Sequence, residues 1–269
     1  MTIPGWYINL ARDTARAEHM GAEAAQKQLP IQRQEAVDGA LLTDAECATL
    51  DVPAPGLHRL SAPELACCMS HRRIWAKIAN GDSAYGAVFE DDLTFANDTS
   101  DFLRKDGWLP DGAHLVKIET TARKVLLLPP FAEAGKGRAL AMLGSRHLGA
   151  GGYIVSKTFA AELLAASETW SAPVDYLLFD PEHALVPDRP AWQLSPALCV
   201  QQVRSQAAFL PPGTALSGLD SARSRQKRRG ASKVIREATR PFTNLATEIR
   251  YRTLAARSGG KWGTIPYRQ

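Results

Sequence analysis

The amino-acid sequence predicts an α/β fold, and three observations support this prediction. A strand, a helix and a second strand follow one another within residues 6–37, which is the pattern of a βαβ unit. Helical segments and β-prone apolar segments continue to alternate as far as residue 203. Apolar residues make up 45% of the 269 residues, which is enough for the core of one large domain.

The first strand, helix and second strand are predicted from composition. Residues 6–10 are apolar and β-prone, whereas residues 14–28 are rich in Ala, Glu, Gln and Lys, which favour helix. Pro30 ends the helix, and the loosely alternating residues 31–37 form the second strand, which Asp38-Gly39 closes. Because a helix connects the two strands, we expect them to be parallel.

A second helix is marked at both ends. Ser61 and Glu64 have the spacing of a capping box, and Asn80-Gly81 is a stop signal, so the helix is predicted to run over residues 61–79. The uncharged segment Ala84–Phe89 is predicted to form the next strand, buried in the sheet.

The rest of the chain contains shorter elements. Strands are predicted at residues 114–119, 125–128, 153–155 and 192–203, and a helix capped by Ser156 at residues 156–166. Residues 211–224 are rich in Pro, Gly and Ser, as linkers are. The sequence therefore predicts a domain of residues 1–210 and a basic, largely helical or disordered extension of residues 211–269.

The net charge of +4 is unevenly divided. Residues 204–269 carry 14 Lys and Arg against 3 Asp and Glu, whereas residues 1–203 carry 18 against 25. No apolar run approaches the roughly 20 residues of a membrane-spanning helix, and the N-terminus lacks the pattern of a signal peptide. The four cysteines have no metal-ligand spacing, so we expect a cytoplasmic protein in a reducing compartment.

Three consecutive acids, Glu90-Asp91-Asp92, directly follow the buried strand. In open α/β sheets, ligands bind beyond the carboxyl ends of the strands. Adjacent carboxylates repel one another unless a cation or solvent screens them, and Mg²⁺ and Mn²⁺ prefer such hard oxygen ligands. The triplet therefore predicts a divalent-cation site. A solvated acidic turn, or the acids of a kinase, nucleotidyltransferase or phosphatase, would give the same pattern.

Six segments of the chain occur in a recognisable order. They are Tyr7-Ile8-Asn9-Leu10 with Arg12 and Arg16, Ala36-Val37-Asp38-Gly39, Glu64–Trp75, Val88-Phe89-Glu90-Asp91-Asp92, Gly151–Lys157 and Pro173-Val174-Asp175. Together they resemble glycosyltransferase family 25, the lipopolysaccharide-type galactosyl- and glucosyltransferases, over about residues 3–203. The resemblance implies a GT-A-like, Rossmann-type mixed sheet flanked by helices. It also implies a UDP-sugar donor, Mn²⁺ or Mg²⁺, and inversion at the anomeric carbon.

The resemblance further implies roles within the triplet. Glu90 would contact the ribose of the donor, directly or through the metal, and Asp92 would bind the metal. Asp91, also placed in the donor site, would face inward or support its neighbours. Glu stands at the first position, where Asp is usual, and its extra methylene should be tolerated.

Other residues of these segments are predicted to bind the donor. Asn9, Arg12 and Asp38 stand at the ends of the first two strands, where a base and ribose would lie. Arg12 could equally belong to a solvated helix face, and Asp38 to a simple turn. His71 is predicted to contact the donor beside two arginines, although a lone helical His can be a structural hydrogen bonder.

Inverting transfer needs a base that takes the proton of the acceptor hydroxyl, and Asp175 is predicted to be that base. It could instead cap the short helix that follows it, and Glu119 and Asp180 are weaker candidates. His183 is a further candidate for the metal shell. The glycine run of residues 149–152 is predicted to approach the donor or acceptor sugar closely.

Eight basic residues lie within residues 223–240, with apolar residues among them. Such a segment can bind anionic lipid, so besides a glycan or glycolipid acceptor we expect contact with the inner face of the membrane. A solubilising tail is the alternative.

A nucleotidyltransferase stays open as another function, although residues 5–16 lack a Gly-rich basic loop. An inactive transferase or a non-enzymatic nucleic-acid binder also stays open, although the acidic body makes nucleic acid an unexpected partner.

Overall fold

The computed structural model describes residues 1–202 and 231–269, with side chains from residue 245 onward in the second part. The first elements are β1 (Gly5–Asn9), α1 (Thr14–Lys27), β2 (Ile31–Glu35), a 3₁₀ helix (Gly39–Leu41), α2 (Asp44–Leu50), α3 (Ala62–Asn80), β3 (Tyr85–Glu90), β4 (Leu93–Phe95) and α4 (Thr99–Leu103). The later ones are β5 (Leu115–Lys117), β6 (Glu119–Thr120), β7 (Lys124–Gly135), β8 (Arg138–Leu143), β9 (Gly152–Ser156), α5 (Lys157–Ala166), α6 (Val174–Phe179), β10 (Trp192–Ser195), β11 (Cys199–Gln201), α7 (Ala231–Ser258) and β12 (Lys261–Thr264).

A nine-stranded mixed sheet forms the centre of the molecule, in the order β12-β7-β8-β10-β5-β9-β3-β1-β2. Strand β1 is parallel to both β2 and β3, as the βαβ pattern predicts. Strand β9 lies between β3 and β5 and is antiparallel to both. The predicted α/β fold, a mixed sheet flanked by helices, is confirmed.

Apolar side chains cover both faces of this sheet. On β9, the fully buried Tyr153 and Val155 pack in one cluster with residues of α3 and α5 such as Trp75. The intervening Ile154 packs on the opposite face in a cluster with Met20 of α1. Because the central strands are buried on both faces, their sequences are continuous apolar runs rather than alternating ones.

Helix α3 lies directly against β3. Its predicted capping box is present, since the Ser61 amide donates to the Glu64 carboxylate at 2.9 Å. A Cβ added to Gly86 of β3 would lie only 2.5 Å from Cγ1 of Ile78 on α3, so glycine permits this close approach. The contact places the helix that carries His71 beside the strand that ends in the acidic triplet.

Two predicted strands are wrong in extent. Residues 114–119 divide into β5 and β6, and residues 192–203 divide into β10 and β11. Strands β6 and β11 belong to a second sheet of three strands, in the order β4-β11-β6. Pro196 separates β10 from β11, and because proline has no amide hydrogen it interrupts a ladder.

The strand predicted at residues 125–128 is one arm of a longer antiparallel hairpin, β7 and β8. Pro129 and Pro130 interrupt the apolar pattern, and both lie where the pairing register shifts between Leu128 and Ala132. The sequence signal ends at these prolines, although the hairpin continues beyond them.

The end of the chain returns to the central sheet. Strand β12 pairs antiparallel with β7, and the Thr120 hydroxyl donates to the main-chain oxygen of the buried Ile265 at 2.7 Å. Residues 261–265, which the sequence places in the extension of residues 211–269, therefore pack on the body.

The predicted linker of residues 211–224 lies outside the described residues. Within the described part of the chain, no helix combines the length and apolar character that crossing a membrane requires.

Candidate active site

A cleft of about 760 Å³ opens where β1, β2 and β3 end. Its volume falls in the range of pockets that bind small molecules and cofactors. The cleft is lined by all but one of the residues predicted for the site, namely Arg12, Asp38, His71, Glu90, Asp91, Asp92 and Asp175. The exception is Asn9, which is buried beside the cleft.

Glu90 is the last residue of β3, and its amide donates to the main-chain oxygen of Gly151 at 2.9 Å. Burial raises the pKa of Glu90 well above its ordinary value, and the nearby charges of Asp92, Glu119 and Asp175 raise it further. Ionising this carboxylate is therefore unfavourable unless positive charge is brought to it.

Asp92 has a similar environment. Burial raises its pKa to about 6, and the charge of Arg16 opposes that rise only in part. Its Oδ1 atom is buried without a hydrogen-bond partner, whereas its main-chain oxygen accepts the Gln202 amide at 2.6 Å. The Asp92 carboxylate thus retains a free acceptor atom inside the protein.

Asp91 is held differently from its two neighbours. Its carboxylate accepts a hydrogen bond from Asn9 Nδ2 at 2.8 Å and pairs with Arg16 at 2.9 Å. Asn9 is itself fixed, because its Oδ1 accepts the Nε–H of Arg33 at 2.8 Å. Asn9 and Arg16 thus hold the Asp91 carboxylate, which also lines the cleft.

Arg12 and Asp38 form an ion pair across the mouth of the cleft. Asp38 also accepts the Ala40 amide at 2.9 Å and so caps the 3₁₀ helix that follows β2. A Cβ on Gly39 would lie 2.8 Å from the main-chain oxygen of Ala62, so this turn lies tightly against the start of α3. Asp38 is therefore both a turn residue and a wall of the cleft.

His71 is fully buried in the wall of the cleft and ends a chain of hydrogen bonds. The Trp75 indole donates to the Tyr153 hydroxyl at 2.8 Å, and that hydroxyl lies 2.9 Å from His71 Nδ1. Either group can be the donor of this bond, so the imidazole hydrogen lies on Nε2 when the hydroxyl donates and on Nδ1 when the ring donates. Burial lowers the pKa of His71 to about 3, so the ring is neutral, and Nε2 has no hydrogen-bond partner.

Asp175 lies in the first turn of α6, which begins after Pro173. Its Oδ2 accepts the Gly149 amide at 3.2 Å, and its Oδ1 accepts the Tyr176 amide. The side chain is half-buried and lines the cleft, so a carboxylate that stabilises a helix start is also open to a ligand.

The sequence gives little weight to Glu119, which lies next to the triplet. Glu119 is fully buried, pairs with the equally buried Lys117 at 2.9 Å, and has an Oε1 atom without a partner. Its carboxylate raises the pKa of both Glu90 and Asp92. The sequence signal that could have indicated Glu119 is its position, since it is a charged residue at the end of the strand predicted at residues 114–119.

The glycine run of residues 149–152 lies against Glu119, and Gly149 also lines the cleft. A Cβ on Gly151 would lie 2.9 Å from Oε1 of Glu119, and Gly151 donates its amide to the same carboxylate at 3.0 Å. Asp180 and His183 do not line the cleft and instead contact each other at 3.1 Å. Arg16, which belongs to the first family segment, and Arg123, which the sequence does not single out, also line the cleft.

A divalent cation fits the pair of Glu90 and Asp92. Glu90 is half-buried and Asp92 is buried, their charges oppose each other, and Asp92 Oδ1 has no protein donor. Carboxylate oxygens are the donors that Mg²⁺ and Mn²⁺ prefer. The chemistry of this donor set therefore suits such an ion.

Fold and site together define a class of protein. An α/β sheet with a large cleft beyond its parallel strands, lined by buried acids and by arginines, is typical of enzymes that bind phosphorylated ligands. Comparison with known proteins makes this specific. The chain belongs to glycosyltransferase family 25, described as an LPS biosynthesis protein family, which it matches over residues 3–178.

Curated relatives of this family match most of the chain. It is 31% identical over 263 residues to lacto-N-neotetraose biosynthesis glycosyltransferase LgtE of Neisseria meningitidis, and this match covers 91% of each of the two chains. It is 34% identical over 226 residues to LgtB of Neisseria gonorrhoeae, with 79% of this chain and 78% of the relative covered. Lipooligosaccharide biosynthesis protein lic2B of Haemophilus influenzae is 26% identical over 213 residues, and the match covers 73% of this chain and 75% of the relative. The protein is therefore a glycosyltransferase, and the nucleotidyltransferase alternative is not supported.

Proposed function

We propose that this glycosyltransferase moves a hexose, galactose or glucose, from a UDP-sugar to a lipooligosaccharide or another cell-surface glycan. The transfer inverts the anomeric carbon and depends on Mn²⁺ or Mg²⁺. The names of the relatives, which refer to lacto-N-neotetraose and lipooligosaccharide biosynthesis, support the acceptor class. The observation that carries the proposal is the pair of acids Glu90 and Asp92, whose charges the protein compensates only in part, inside a cleft of about 760 Å³.

The donor would lie across the ends of β1, β2 and β3. Asp92 binds the cation, and Glu90 contacts the ribose or the same cation. The cation, when bound, offsets the negative charge that develops on the departing UDP. Arg12 and Asp38 hold the nucleotide at the mouth of the cleft. Because His71 is neutral, it serves the donor as a hydrogen-bonding group and not as a positive charge.

Asp175 is the proposed base of the transfer. Its carboxylate takes the proton of the acceptor hydroxyl while the acceptor oxygen bonds to the anomeric carbon and the bond from that carbon to UDP breaks. The Gly149 amide at 3.2 Å fixes the carboxylate in the cleft, which supports a positioned rather than a mobile base.

UDP release tests the proposal. The purified chain is incubated with a panel of UDP-sugars, with Mn²⁺ or EDTA, and with or without a lipooligosaccharide acceptor. We expect UDP-galactose or UDP-glucose to be turned over with Mn²⁺ only, and Asp92→Asn to abolish this turnover. Asp101→Asn, which changes a half-exposed aspartate that pairs with Lys136 away from the cleft, is the control. Turnover that persists in EDTA would contradict the metal, and the absence of release from every UDP-sugar would contradict the donor.

The anomeric configuration of the product tests inversion separately. An α-linked UDP-hexose should give a β-linked product, which the proton coupling constant of the new anomeric centre reports by NMR. An α-linked product would rule out a single inverting displacement at Asp175.

We further propose that the protein works at the inner, cytoplasmic face of the membrane, where α7 contacts anionic lipid. Leu245 and Ile249, one turn apart on α7, are 59% and 57% exposed, and Arg250 and Arg257 are exposed beside them. The opposite side of α7 is anchored, because Tyr251 stacks on Trp262 of β12 at 4.6 Å between ring centroids. Apolar and basic side chains on one outer surface suit a lipid interface.

Co-sedimentation with vesicles tests this contact. The full chain should sediment with vesicles that contain phosphatidylglycerol and much less with neutral ones, and Leu245→Glu with Ile249→Glu should weaken the binding. Equal binding to neutral and anionic vesicles would contradict the role of the basic residues. In that case the alternative of a solubilising tail is favoured.

A further inference from the structure

A second group of potential metal ligands lies in the cleft wall, apart from Asp92. Cys67 and His71 are four residues apart on α3, so they share one face of the helix, which lies beside the end of β3. The Cys67 sulfur, a ring nitrogen of His71 and a carboxylate oxygen of Glu90 lie within 4.8 Å of one another. All three residues line the cleft.

The donor atoms differ from those of the proposed Mn²⁺ or Mg²⁺ site. Thiolate sulfur and imidazole nitrogen are the ligands of Zn²⁺ and of Co²⁺ used as its substitute, whereas Mg²⁺ and Mn²⁺ prefer oxygen. Three protein ligands in the wall of the cleft would leave a fourth coordination position for water, as in open zinc sites.

An unpaired atom supports the same conclusion independently. His71 is fully buried, its Nδ1 is engaged by the Tyr153 hydroxyl at 2.9 Å, and its Nε2 has no hydrogen-bond partner. A buried polar atom without a partner is costly, and a metal ion would satisfy it. In the tautomer with its hydrogen on Nδ1, the imidazole donates to the Tyr153 hydroxyl, so Tyr153 is an outer partner and the Nε2 lone pair faces the ion.

We propose that Cys67, His71 and Glu90 form a binding site for a thiophilic divalent cation, represented by Zn²⁺. The Cys67 thiol releases its proton when the ion binds. One consequence rests on the proposed function. Glu90 cannot serve both ions fully, so Zn²⁺ at this site should inhibit turnover that depends on Mn²⁺.

Cobalt absorption tests the site directly. The metal-free full chain is titrated with Co²⁺, and we expect a near-ultraviolet thiolate-to-cobalt charge-transfer band together with the visible bands of a four-coordinate ion. The charge-transfer band should be lost in Cys67→Ser and retained in Cys47→Ser, a matched control because both cysteines are half-buried. A wild-type chain without this band, or an unchanged band in Cys67→Ser, would overturn the proposal.

Zinc affinity gives a second measurement. By calorimetry, Cys67→Ser and His71→Gln should each raise the Kd for Zn²⁺ by about tenfold or more, since loss of even an outer-shell partner costs about 10–100-fold. Because His71 is buried, the circular dichroism of His71→Gln is compared with wild type, and Cys67→Ser alone decides the question if that variant does not fold. A Kd for Cys67→Ser within a factor of about two of wild type would also overturn the site.

These results separate the inference from the proposed function. The cobalt band does not depend on turnover, so a band that requires Cys67 supports the site even when no UDP-sugar is turned over. Conversely, turnover that depends on Mn²⁺ in a chain without the band supports the proposed function and overturns the zinc site. Where both hold, Zn²⁺ should inhibit wild type and the Cys47→Ser control to the same extent.

Discussion

Replacing Asp92 with Asn should make the metal-free protein more stable at neutral pH, although it removes a proposed metal ligand. Burial holds the pKa of Asp92 at about 6, against an ordinary 3.8. A carboxyl group with a raised folded-state pKa binds its proton more tightly in the folded chain. Its ionisation therefore lowers stability as the pH rises from about 4 to about 6. Asn resembles the neutral acid in shape and lacks this cost.

The magnitude follows from the pKa difference. A rise from 3.8 to about 6 corresponds to about 3 kcal/mol at a pH above 6, since one pKa unit equals about 1.4 kcal/mol. For a chain of this size, about 3 kcal/mol raises the Tm by roughly 6–12 °C. The gain should shrink as the pH falls towards 4 and should vanish only below about pH 3, where the wild-type carboxyl is protonated in both states.

Urea unfolding in EDTA at pH 4.5, 6 and 7.5 measures this free energy for wild type and Asp92→Asn. The control is Asp91→Asn, which loses the 2.9 Å ion pair to Arg16 and should be destabilised at pH 7.5. Mn²⁺ at about a thousandfold excess over its Kd should stabilise wild type by about 4 kcal/mol and reverse the order. If Asp92→Asn is less stable than wild type in EDTA at pH 7.5, the assumed desolvation of this carboxylate is refuted.

Three further predictions concern the same cleft. The Kd for Mn²⁺ should fall as the pH rises through about 6, because the proton that Asp92 binds below its pKa must leave before the ion can bind. Calorimetry at pH 5.5 and 7.5 measures this Kd, and equal values would argue against the prediction. Asp175→Asn should lower kcat about 10²–10⁴-fold and leave the Kd for the UDP-sugar nearly unchanged; if the Kd alone changes, Asp175 binds the donor and is not the base. Tyr153→Phe should lower the free energy of unfolding in urea by about 2–4 kcal/mol, because the buried indole of Trp75 and the imidazole of His71 both lose the hydroxyl they share. A decrease below about 0.5 kcal/mol would mean that water replaces the hydroxyl.

The elements that the sequence predicts well are those with local signals. The capping box of Ser61 and Glu64 fixes the start of α3 within a few residues, and the uncharged run before Glu90 fixes the end of β3. Since a parallel strand ends at the ligand-binding edge, the position of the triplet at the cleft also follows from sequence. The β7–β8 hairpin had no such signal, because two prolines interrupt its pattern.

The sequence by itself determined the fold class, the acidic triplet at a strand end and the family segments, because each is encoded within a few neighbouring residues. Only the tertiary structure decided the state of each acid. Asp91 pairs directly with Arg16 from α1, whereas Glu90 and Asp92 face Glu119 from a distant strand, and the charge of Arg16 offsets the burial of Asp92 only in part. Electrostatic environment depends on groups that are remote in the chain and close in space, so three adjacent carboxylates acquire different properties only when the sheets and helices pack together.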